Sequence, residues 1–280
     1  MIDYTSLKTL LCVVPDDTEA RLRMDILKQR ATVLSNEMIS DGIYSMWLEN
    51  RAISSLAKPG QFISVYCEDK SRLLPRPISI CEADKQRGAL RIVFRVAGAG
   101  TDEFAHMVAG QGVDIMGPLG NGYTLQTDGK AVLVGGGIGI PPMLELAKQL
   151  KCEKTIVLGY RDVRYLDEEF TQYGNVVIAT EDGSCGTKGN VVDAMKAMGV
   201  TGDMIYSCGP MPMLRGISAY AEELGIPAQI SLEERMACGI GACLGCICKT
   251  KEKDHHSNVN NARICKDGPV FLATEIDFSK

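Results

Sequence analysis

The sequence lacks the features that mark membrane-spanning, exported and nucleic-acid-binding proteins. No apolar run approaches the roughly 18–20 residues of a membrane span. The N-terminus has no basic segment, and its short apolar stretch at 10–14 cannot serve as the core of a signal peptide. A net charge of −5 and a pI near 5.4 argue against a nucleic-acid partner, which would require a basic surface. These absences predict a cytoplasmic protein.

What is present is a globular composition with many cysteines. The 280 residues are 45% hydrophobic and 23% charged, which suits two medium domains and a small module. Because nothing predicts export, we expect the eleven cysteines to be thiols or metal ligands and not disulfides. We predict four segments: an N-terminal extension at 1–24 with no assigned function, a β-barrel domain at 25–125, an α/β domain at 126–230 and a C-terminal module at 231–280.

The strongest local pattern is a group of four cysteines near the C-terminus. Cys238, Cys243 and Cys246 follow the spacing C-x4-C-x2-C, and eighteen residues separate Cys246 from Cys265. This is the plant-type spacing for the ligands of a [2Fe–2S] cluster. The small residues between the cysteines let backbone amides approach the sulfurs and influence the redox potential. A structural zinc site is the alternative, although zinc ribbons usually present two C-x2-C pairs.

Three further potential ligands lie near this group, and we expect none of them to bind the metal. Cys248 is a spare thiol that either substitutes for a ligand or is a buried small side chain, and we expect the latter. His255 and His256 lie in a polar stretch between the third and fourth cysteines. A Rieske site would replace two cysteines by histidines, but all four cysteines are present, so we predict a solvated loop.

Residues 24–123 predict an antiparallel β-barrel. Short apolar or alternating runs are separated by glycine and proline, without a long helix. Within this region, Arg76 offers a planar donor group suited to a phosphate or a flavin ring, Pro77 fixes the backbone and Ser79 can donate to a ring heteroatom. An edge strand with a surface arginine explains the same residues equally well.

A second clue in the barrel region is a glycine-rich turn at 98–101, followed by a helix predicted at 101–108. Backbone amides at a helix N-terminus can hold an anion. A basic strand at 93–96 that leads into such a turn would suit the pyrophosphate of a dinucleotide.

Residues 126–230 alternate apolar strands with helical segments, which predicts a doubly wound parallel sheet. The glycines at 135–139 lie between the first strand and its helix, where a pyrophosphate can bind. A proline stands at the position of the third glycine of G-x-G-x-x-G, and proline is acceptable in the first turn of a helix. Cys208 ends the fourth strand and would face a nicotinamide, or it is simply a small buried cysteine.

The specificity for the dinucleotide has a weaker sequence signal. No basic cluster follows the second strand beyond Arg161 and Arg164, which favours NAD over NADP. The stretch 181–190 is either a surface turn with Asn190 as helix N-cap or a contact for the cofactor.

Taken in order, these motifs resemble the ferredoxin–NADP reductase superfamily. The stretch from Cys238 to Cys243 and the stretch Cys265-Lys-Asp-Gly-Pro-Val-Phe271 more closely resemble the electron-transfer subunits of NAD-dependent dihydroorotate dehydrogenases. The likeness runs from about Met24 to Phe271. Stand-alone oxygenase reductases differ, because their ferredoxin domain is longer.

The resemblance implies FAD on the barrel, NAD(H) on the parallel domain and a [2Fe–2S] cluster at the C-terminus. It implies that the following residues contact FAD: Arg76, Pro77, Ile78, Ser79, Val93, Phe94, Arg95, Gly100 and Thr101. For NAD(H) the candidates are Gly135, Gly137, Gly139, Cys208, Gly209 and Pro210. The cluster ligands would be Cys238, Cys243, Cys246 and Cys265. We assign no catalytic acid, base or nucleophile to this chain.

The resemblance also implies a partner and a pathway. A separate FMN-containing subunit would oxidise dihydroorotate to orotate in pyrimidine (UMP) biosynthesis, in a heterotetramer with two copies of each chain. Because the tail after Ile230 is too small to bury a cluster and a core unaided, we expect another subunit to cover Ile240, Leu244 and Ile247. The alternatives are an NAD(P)H-dependent reductase subunit that serves ferredoxin, polysulfide or another acceptor, and a zinc-containing nucleotide-binding module.

Overall fold

The N-terminal part of the fold is a closed antiparallel barrel. The computed structural model describes residues 27–253 and 258–279, so the extension at 1–24 and the two histidines at 255–256 lie outside the described residues. Six strands close in the spatial order β1-β2-β5-β4-β3-β6. Their bounds are β1 Leu27–Ser40, β2 Ile43–Glu49, β3 Phe62–Val65, β4 Arg76–Asp84, β5 Ala89–Arg95 and β6 Gly112–Leu119. The predicted barrel is confirmed.

Burial along the strands shows which part of the barrel wall is covered. In β6 every second side chain is buried, as expected for a strand with one face in the core and one in solvent. In β5 all side chains from Ala89 to Phe94 are buried. The outer face of β5 is buried because it packs on the neighbouring domain, where Val93 joins a core that contains Leu133 and Met143.

The interpretation of residues 76–79 as an edge segment agrees in part with the structure. Strand β4 lies inside the closed barrel, but residues 76–79 pair with β3 alone, and the pairing with β5 begins at Ile80. Pro77 lies opposite Ser64 in this pairing. Two short helices complete the barrel: α1 Arg51–Leu56 and α2 Ala99–Ala105. Helix α2 begins two residues before the predicted position, because Gly98 is its N-cap.

The second part of the fold is a seven-stranded sheet in the order β10-β9-β8-β7-β11-β12-β15. The strands are β7 Lys130–Gly136, β8 Glu153–Tyr160, β9 Asn175–Thr180, β10 Thr187–Lys188, β11 Met204–Cys208, β12 Ala228–Ser231 and β15 Val270–Leu272. All pairs are parallel except β12 with β15. Strands β8, β9 and β10 are added in turn on one side of β7, and strands β11 and β12 then follow on its other side. The switch point of this doubly wound sheet therefore lies between β7 and β11, and ligands bind at such points.

The helices of this part follow the predicted alternation. Their bounds are α3 Pro141–Gln149, α4 Asp167–Phe170, α5 Val191–Ala197 and α6 Met211–Leu224. Asn190 is the N-cap of α5, as predicted, and accepts hydrogen bonds from the backbone amides of Val192 and Asp193 at 2.8 and 3.2 Å. Across the described ranges, no helix has both the length and the apolar character that a membrane crossing requires.

The C-terminal segment is built onto the parallel sheet. Strands β13 Ile247–Lys249 and β14 Asn261–Arg263 form a hairpin, and β15 extends the sheet by pairing with β12. Cys246, Cys265 and Phe271 share one hydrophobic core with residues of the parallel strands. The C-terminal segment is too short to form a hydrophobic core alone. It is ordered because these residues pack in the core of the parallel sheet.

A buried ion cluster joins the barrel to the second domain. Arg91 on β5 is only 8% exposed and donates to Glu82 at 3.0 Å and to the carboxylate of Glu169 on α4 at 2.6 and 3.0 Å. Its Nε atom also donates to Ser45 at 2.8 Å. All three partners satisfy the guanidinium. Removal of Arg91 takes this ion pair from Glu169, whereas Glu82 keeps Lys148 at 3.7 Å.

We therefore expect Arg91→Ala to lower the free energy of unfolding by about 2 kcal/mol, because the charge-assisted hydrogen bonds of a buried guanidinium are lost. Lys130→Ala is the matched control, since the Lys130–Glu153 pair at 3.4 Å is exposed on both sides and should contribute less than about 1 kcal/mol. Urea titration followed by circular dichroism measures both. Equal effects of the two substitutions would contradict the assignment of Arg91 as an interdomain contact.

Candidate functional site

Backbone amides surround the sulfurs of the cysteine loop. Gly241 N–H donates to Cys265 Sγ at 3.1 Å, and Ala242 N–H donates to Cys238 Sγ at 3.3 Å. Gly245 N–H and Cys265 N–H donate to the sulfurs of Cys243 and Cys246, each at 3.4 Å. The loop makes these contacts because Gly239 and Gly241 have positive φ, a conformation that glycine adopts readily, and Leu244 also takes a positive φ. Such amides stabilise thiolates, the form that binds iron.

The four thiols fall into two neighbouring pairs. The pKa of Cys238 responds to the Cys243 side chain, and that of Cys265 responds more to the Cys246 side chain than to Cys238. Within the described residues, no three potential ligands converge as they would on a single ion. Two pairs of thiolates fit two irons bridged by sulfide, whereas a structural zinc requires all four at one point. The donor set and its amides therefore fit a [2Fe–2S] cluster.

The two pairs differ in their surroundings. Burial disfavours ionisation of Cys238, but amide donors, with Ile240 first, outweigh it and lower its pKa to about 6. Burial and the adjacent Cys246 thiol raise the pKa of Cys265 to about 12. Cys246 and Cys265 are buried in the chain, and Cys243 is exposed. One end of the predicted cluster site is thus covered by this chain, and the other reaches the surface.

Two residues near the cluster loop were missed in the sequence. Arg263 donates from Nε and Nη2 to the Asp267 carboxylate at 3.0 and 3.1 Å, and its Nη1 donates to Gly241 O at 3.3 Å. This pair ties the segment of the fourth cysteine to the loop of the first three. Its only sequence signal is two opposite charges four residues apart around Cys265, a spacing that is common on protein surfaces.

Cys248 has the surroundings of a structural cysteine. It is half-buried on β13 and packs against the shared core. Burial raises its pKa to about 11, so it favours the thiol. These properties agree with the interpretation of Cys248 as a small buried side chain, and its exclusion from the ligand set stays a prediction.

We expect Cys238→Ser and Cys265→Ser each to remove most of the bound iron and acid-labile sulfide, because each leaves an iron with one thiolate. Cys248→Ser is the control and should retain both. Iron and sulfide assays together with electron paramagnetic resonance measure the result. A cluster that survives either of the first two substitutions, or is lost with the control, would contradict the ligand assignment.

At the barrel, the structure brings Arg76 and the glycine-rich turn together. A Cβ atom placed on Gly100 would lie 2.0 Å from Arg76 Nε, so the guanidinium rests directly on the Gly100 backbone. Arg76 also donates to Leu74 O. The Thr101 hydroxyl accepts from the amides of Ala97 and Gly98 at 2.9 and 3.2 Å and fixes the turn. A cation beside a helix N-terminus forms a cradle for a phosphate.

The other predicted FAD residues form two groups, one with buried side chains and one with side chains that are at least partly exposed. Ile78 and Phe94 are buried in the barrel core, and Val93 is buried between the domains, so only the backbone of these residues is available to a ligand. Pro77 and Ser79 are half-buried on β4, and Arg95 is exposed at the end of β5. The predicted contacts therefore follow the ends of two neighbouring strands, and the assignment stays a prediction.

Gly100→Ala should weaken FAD binding at least about tenfold, because the new methyl group displaces the guanidinium and removes a charge-assisted contact. The fold should survive, since the displaced group is the end of a flexible side chain. Gly98→Ala is a matched control, because a Cβ there meets no atom within 4 Å. Flavin content after dialysis and titration with FAD measure the effect. Equal flavin affinity in both variants would rule out this cradle as the FAD site.

At the switch point of the sheet, the glycine loop and the Cys-Gly-Pro segment lie against each other. A Cβ on Gly139 would lie 2.4 Å from Cys208 O and 2.6 Å from Gly209 N. Gly135 and Cys208 pair across β7 and β11. Pro210 precedes α6 as its N-cap and is exposed. The six predicted NAD residues thus lie at one end of the sheet. The lack of a side chain at Gly139 lets the loop after β7 lie against the backbone of Cys208 and Gly209.

Cys208 itself is buried, and burial raises its pKa to about 12. Cys208 therefore stays a neutral thiol at physiological pH. This state is compatible with a residue that faces the nicotinamide and with a small buried cysteine of purely structural role. Arg164 pairs with Asp167 at 3.2 Å, and Arg161 is exposed. Strand β10 closes the 181–190 stretch against β9. The preference for NAD stays a prediction.

The barrel, the switch-point loop and the paired thiols define an iron–sulfur flavoprotein reductase of the ferredoxin–NADP reductase type. A solved NADH-dependent reduced ferredoxin–NADP oxidoreductase, studied for flavin-based electron bifurcation, is similar with a TM-score of 0.80 and 28% identity, over 89% of this chain and 90% of that one. A flavohemoglobin from Malassezia yamatoensis with bound FAD and heme shares the fold alone, with a TM-score of 0.62 and 21% identity over 74% of this chain and 61% of its own.

Sequence comparison narrows this class to one family. The family model of the iron–sulfur cluster binding domain of dihydroorotate dehydrogenase B matches residues 233–277. Electron transfer subunits of dihydroorotate dehydrogenase B (NAD+) from Fusobacterium nucleatum and Geobacillus kaustophilus are 40% and 41% identical, over 88% and 89% of this chain and 97% and 98% of theirs. The chain belongs to this family of electron transfer subunits. It is an oxidoreductase subunit whose cofactors are FAD, a [2Fe–2S] cluster and NAD.

Proposed function

We propose that this chain passes electrons from an FMN-containing catalytic subunit, which oxidises dihydroorotate, to NAD+ in pyrimidine (UMP) biosynthesis. The observation that carries the proposal is the C-terminal segment. It matches the cluster-binding domain of dihydroorotate dehydrogenase B, and backbone amides of its loop donate to the sulfurs of Cys238 and Cys265. About 40% identity to the curated subunits along nearly their whole length supports the same conclusion.

When bound, the three cofactors supply one-electron transfer at the cluster, hydride transfer at the nicotinamide and conversion between the two at the flavin. The residues of this chain bind and orient these groups. Arg76 and the amides near Gly100 would neutralise the FAD phosphates at the barrel rim. The loop at 135–139 would receive the NAD pyrophosphate at the N-terminus of α3. The amides around the cysteines would favour the reduced cluster by stabilising its added charge.

The partner would dock on the apolar rim of the cluster loop. Ile240, Leu244 and Ile247 are 48%, 60% and 45% exposed in this chain. All three residues lie within four positions of Cys243, which is exposed. An adjoining subunit would both cover the apolar groups and place its FMN near the cluster. We propose a heterotetramer with two copies of each chain in the cytoplasm, a reducing compartment that suits the free thiols of the described cysteines.

A second function has one observation in its favour. The similarity to the NADH-dependent reduced ferredoxin–NADP oxidoreductase covers both chains almost fully. A reductase subunit that serves ferredoxin, polysulfide or another acceptor would use the same three sites. The higher identity to the dihydroorotate dehydrogenase subunits favours the first proposal.

Co-expression with the FMN subunit tests the proposal. The purified complex should reduce NAD+ when dihydroorotate is added. A complex with Cys265→Ser should still oxidise dihydroorotate with an artificial acceptor at the FMN subunit but should fail to reduce NAD+. A wild-type chain that carries flavin and cluster, yet neither binds the FMN subunit nor supports this reaction, would refute the proposal and leave the alternative acceptors.

A further inference from the structure

Tyr165 lies at the switch point of the parallel sheet, although no sequence motif drew attention to it. It stands in the connection between β8 and α4 and is only 6% exposed. Its hydroxyl donates to the carbonyl oxygen of Gly137 at 2.7 Å. Gly137 opens the turn of the glycine loop, where it has a φ of 50°. Tyr165 therefore contacts the part of the loop that bends most sharply.

The Gly137 carbonyl has few other constraints. It also accepts from the backbone amide of Ile140 at 3.0 Å, a contact within the turn itself. A Cβ atom on Gly137 would meet no described atom within 4 Å, so side-chain packing does not hold this residue from that direction. Because glycine has wide conformational freedom, a hydrogen bond from outside the turn restricts it most effectively here.

The phenol of Tyr165 is itself well fixed. The Tyr160 hydroxyl donates to Tyr165 O at 2.9 Å, and the two rings pack edge to face with centroids 5.6 Å apart. Burial raises the pKa of Tyr165 to about 12, although the nearby Arg95 guanidinium opposes this rise. The hydroxyl therefore stays protonated at physiological pH and remains a donor to the Gly137 carbonyl.

Arg95 places the same hydroxyl next to the barrel. This residue ends β5, the strand that carries part of the predicted FAD site, and its guanidinium lies near enough to the Tyr165 hydroxyl to lower the pKa of that group against the effect of burial. Strand β5 also contacts the turn at Gly137–Gly139. The Tyr165 hydroxyl thus lies where the two predicted cofactor segments meet.

We propose that Tyr165 is a positioning residue for the nicotinamide dinucleotide. By fixing the Gly137 carbonyl, it holds the turn in the one conformation that directs the backbone amides of the loop toward the pyrophosphate. The inference rests on the proposed function, because it places NAD(H) on this loop. A preorganised loop binds more tightly, since less conformational freedom is lost on binding. The effect should therefore appear in cofactor affinity and not in the later transfer of electrons.

Tyr165→Phe tests this role in the complete complex, because it removes the hydroxyl and keeps the ring. Tyr220→Phe is the matched control. Tyr220 is also buried in this domain, and its hydroxyl donates to Val200 O at 3.0 Å, away from the loop. We expect Tyr165→Phe to raise the Kd for NAD+ and the KM for NADH about three- to tenfold, the usual worth of one hydrogen bond. The control should change neither, and kcat and flavin content should stay within twofold in both variants.

Calorimetric titration with NAD+ and steady-state oxidation of NADH with an artificial acceptor provide two separate readouts. If the wild-type complex neither binds NAD+ nor oxidises NADH, the proposed function fails. If the wild type does both and Tyr165→Phe has an unchanged Kd, the positioning role of Tyr165 is wrong. The role is equally wrong if Tyr220→Phe causes the same rise, or if Tyr165→Phe lowers kcat alone.

Discussion

The contact between helix α3 and strand β4 is the constraint on which the cofactor arrangement depends. Glu145, buried on α3, accepts from the backbone amide of Ala83 on β4 at 3.0 Å. Helix α3 begins directly after the glycine loop, and β4 carries Arg76 at its other end. This single buried carboxylate therefore joins the element that would hold the nicotinamide to the element that would hold the flavin. Transfer of a hydride requires the two rings to be in contact, so a rigid junction is a functional necessity.

The cluster segment illustrates a different solution to the problem of size. The fifty residues at 231–280 cannot enclose an iron–sulfur group and a core of their own. Strand β15 overcomes this limit by pairing with β12, so that Cys246 and Cys265 lie at the edge of the core of the larger domain. The Arg263–Asp267 pair then fixes the loop on this support. The predicted cluster site is thus anchored to the same sheet as the predicted nicotinamide loop.

Local patterns revealed most of the fold and the predicted ligands, because those signals lie within a few residues of one another. The C-x4-C-x2-C spacing, the glycine loop after β7 and the alternation of strands and helices are of this kind. Long-range pairings left no such trace. Arg91 and Glu169 are 78 residues apart, and nothing in either neighbourhood indicates the other. The same holds for Tyr165 and the antiparallel β15. The closure of the barrel around β4 likewise depends on strands far along the chain.

The antiparallel addition of β15 also determines where the sheet ends. Without it, β12 would display a row of unpaired backbone donors and acceptors, an arrangement that invites association with other chains. The iron–sulfur segment is therefore an edge cap as well as a redox centre. A shortened chain that kept only the two nucleotide-binding parts would expose this border and tend to self-associate. Evolution of a simpler reductase from this scaffold would need a new cover for β12 before the cluster could be discarded.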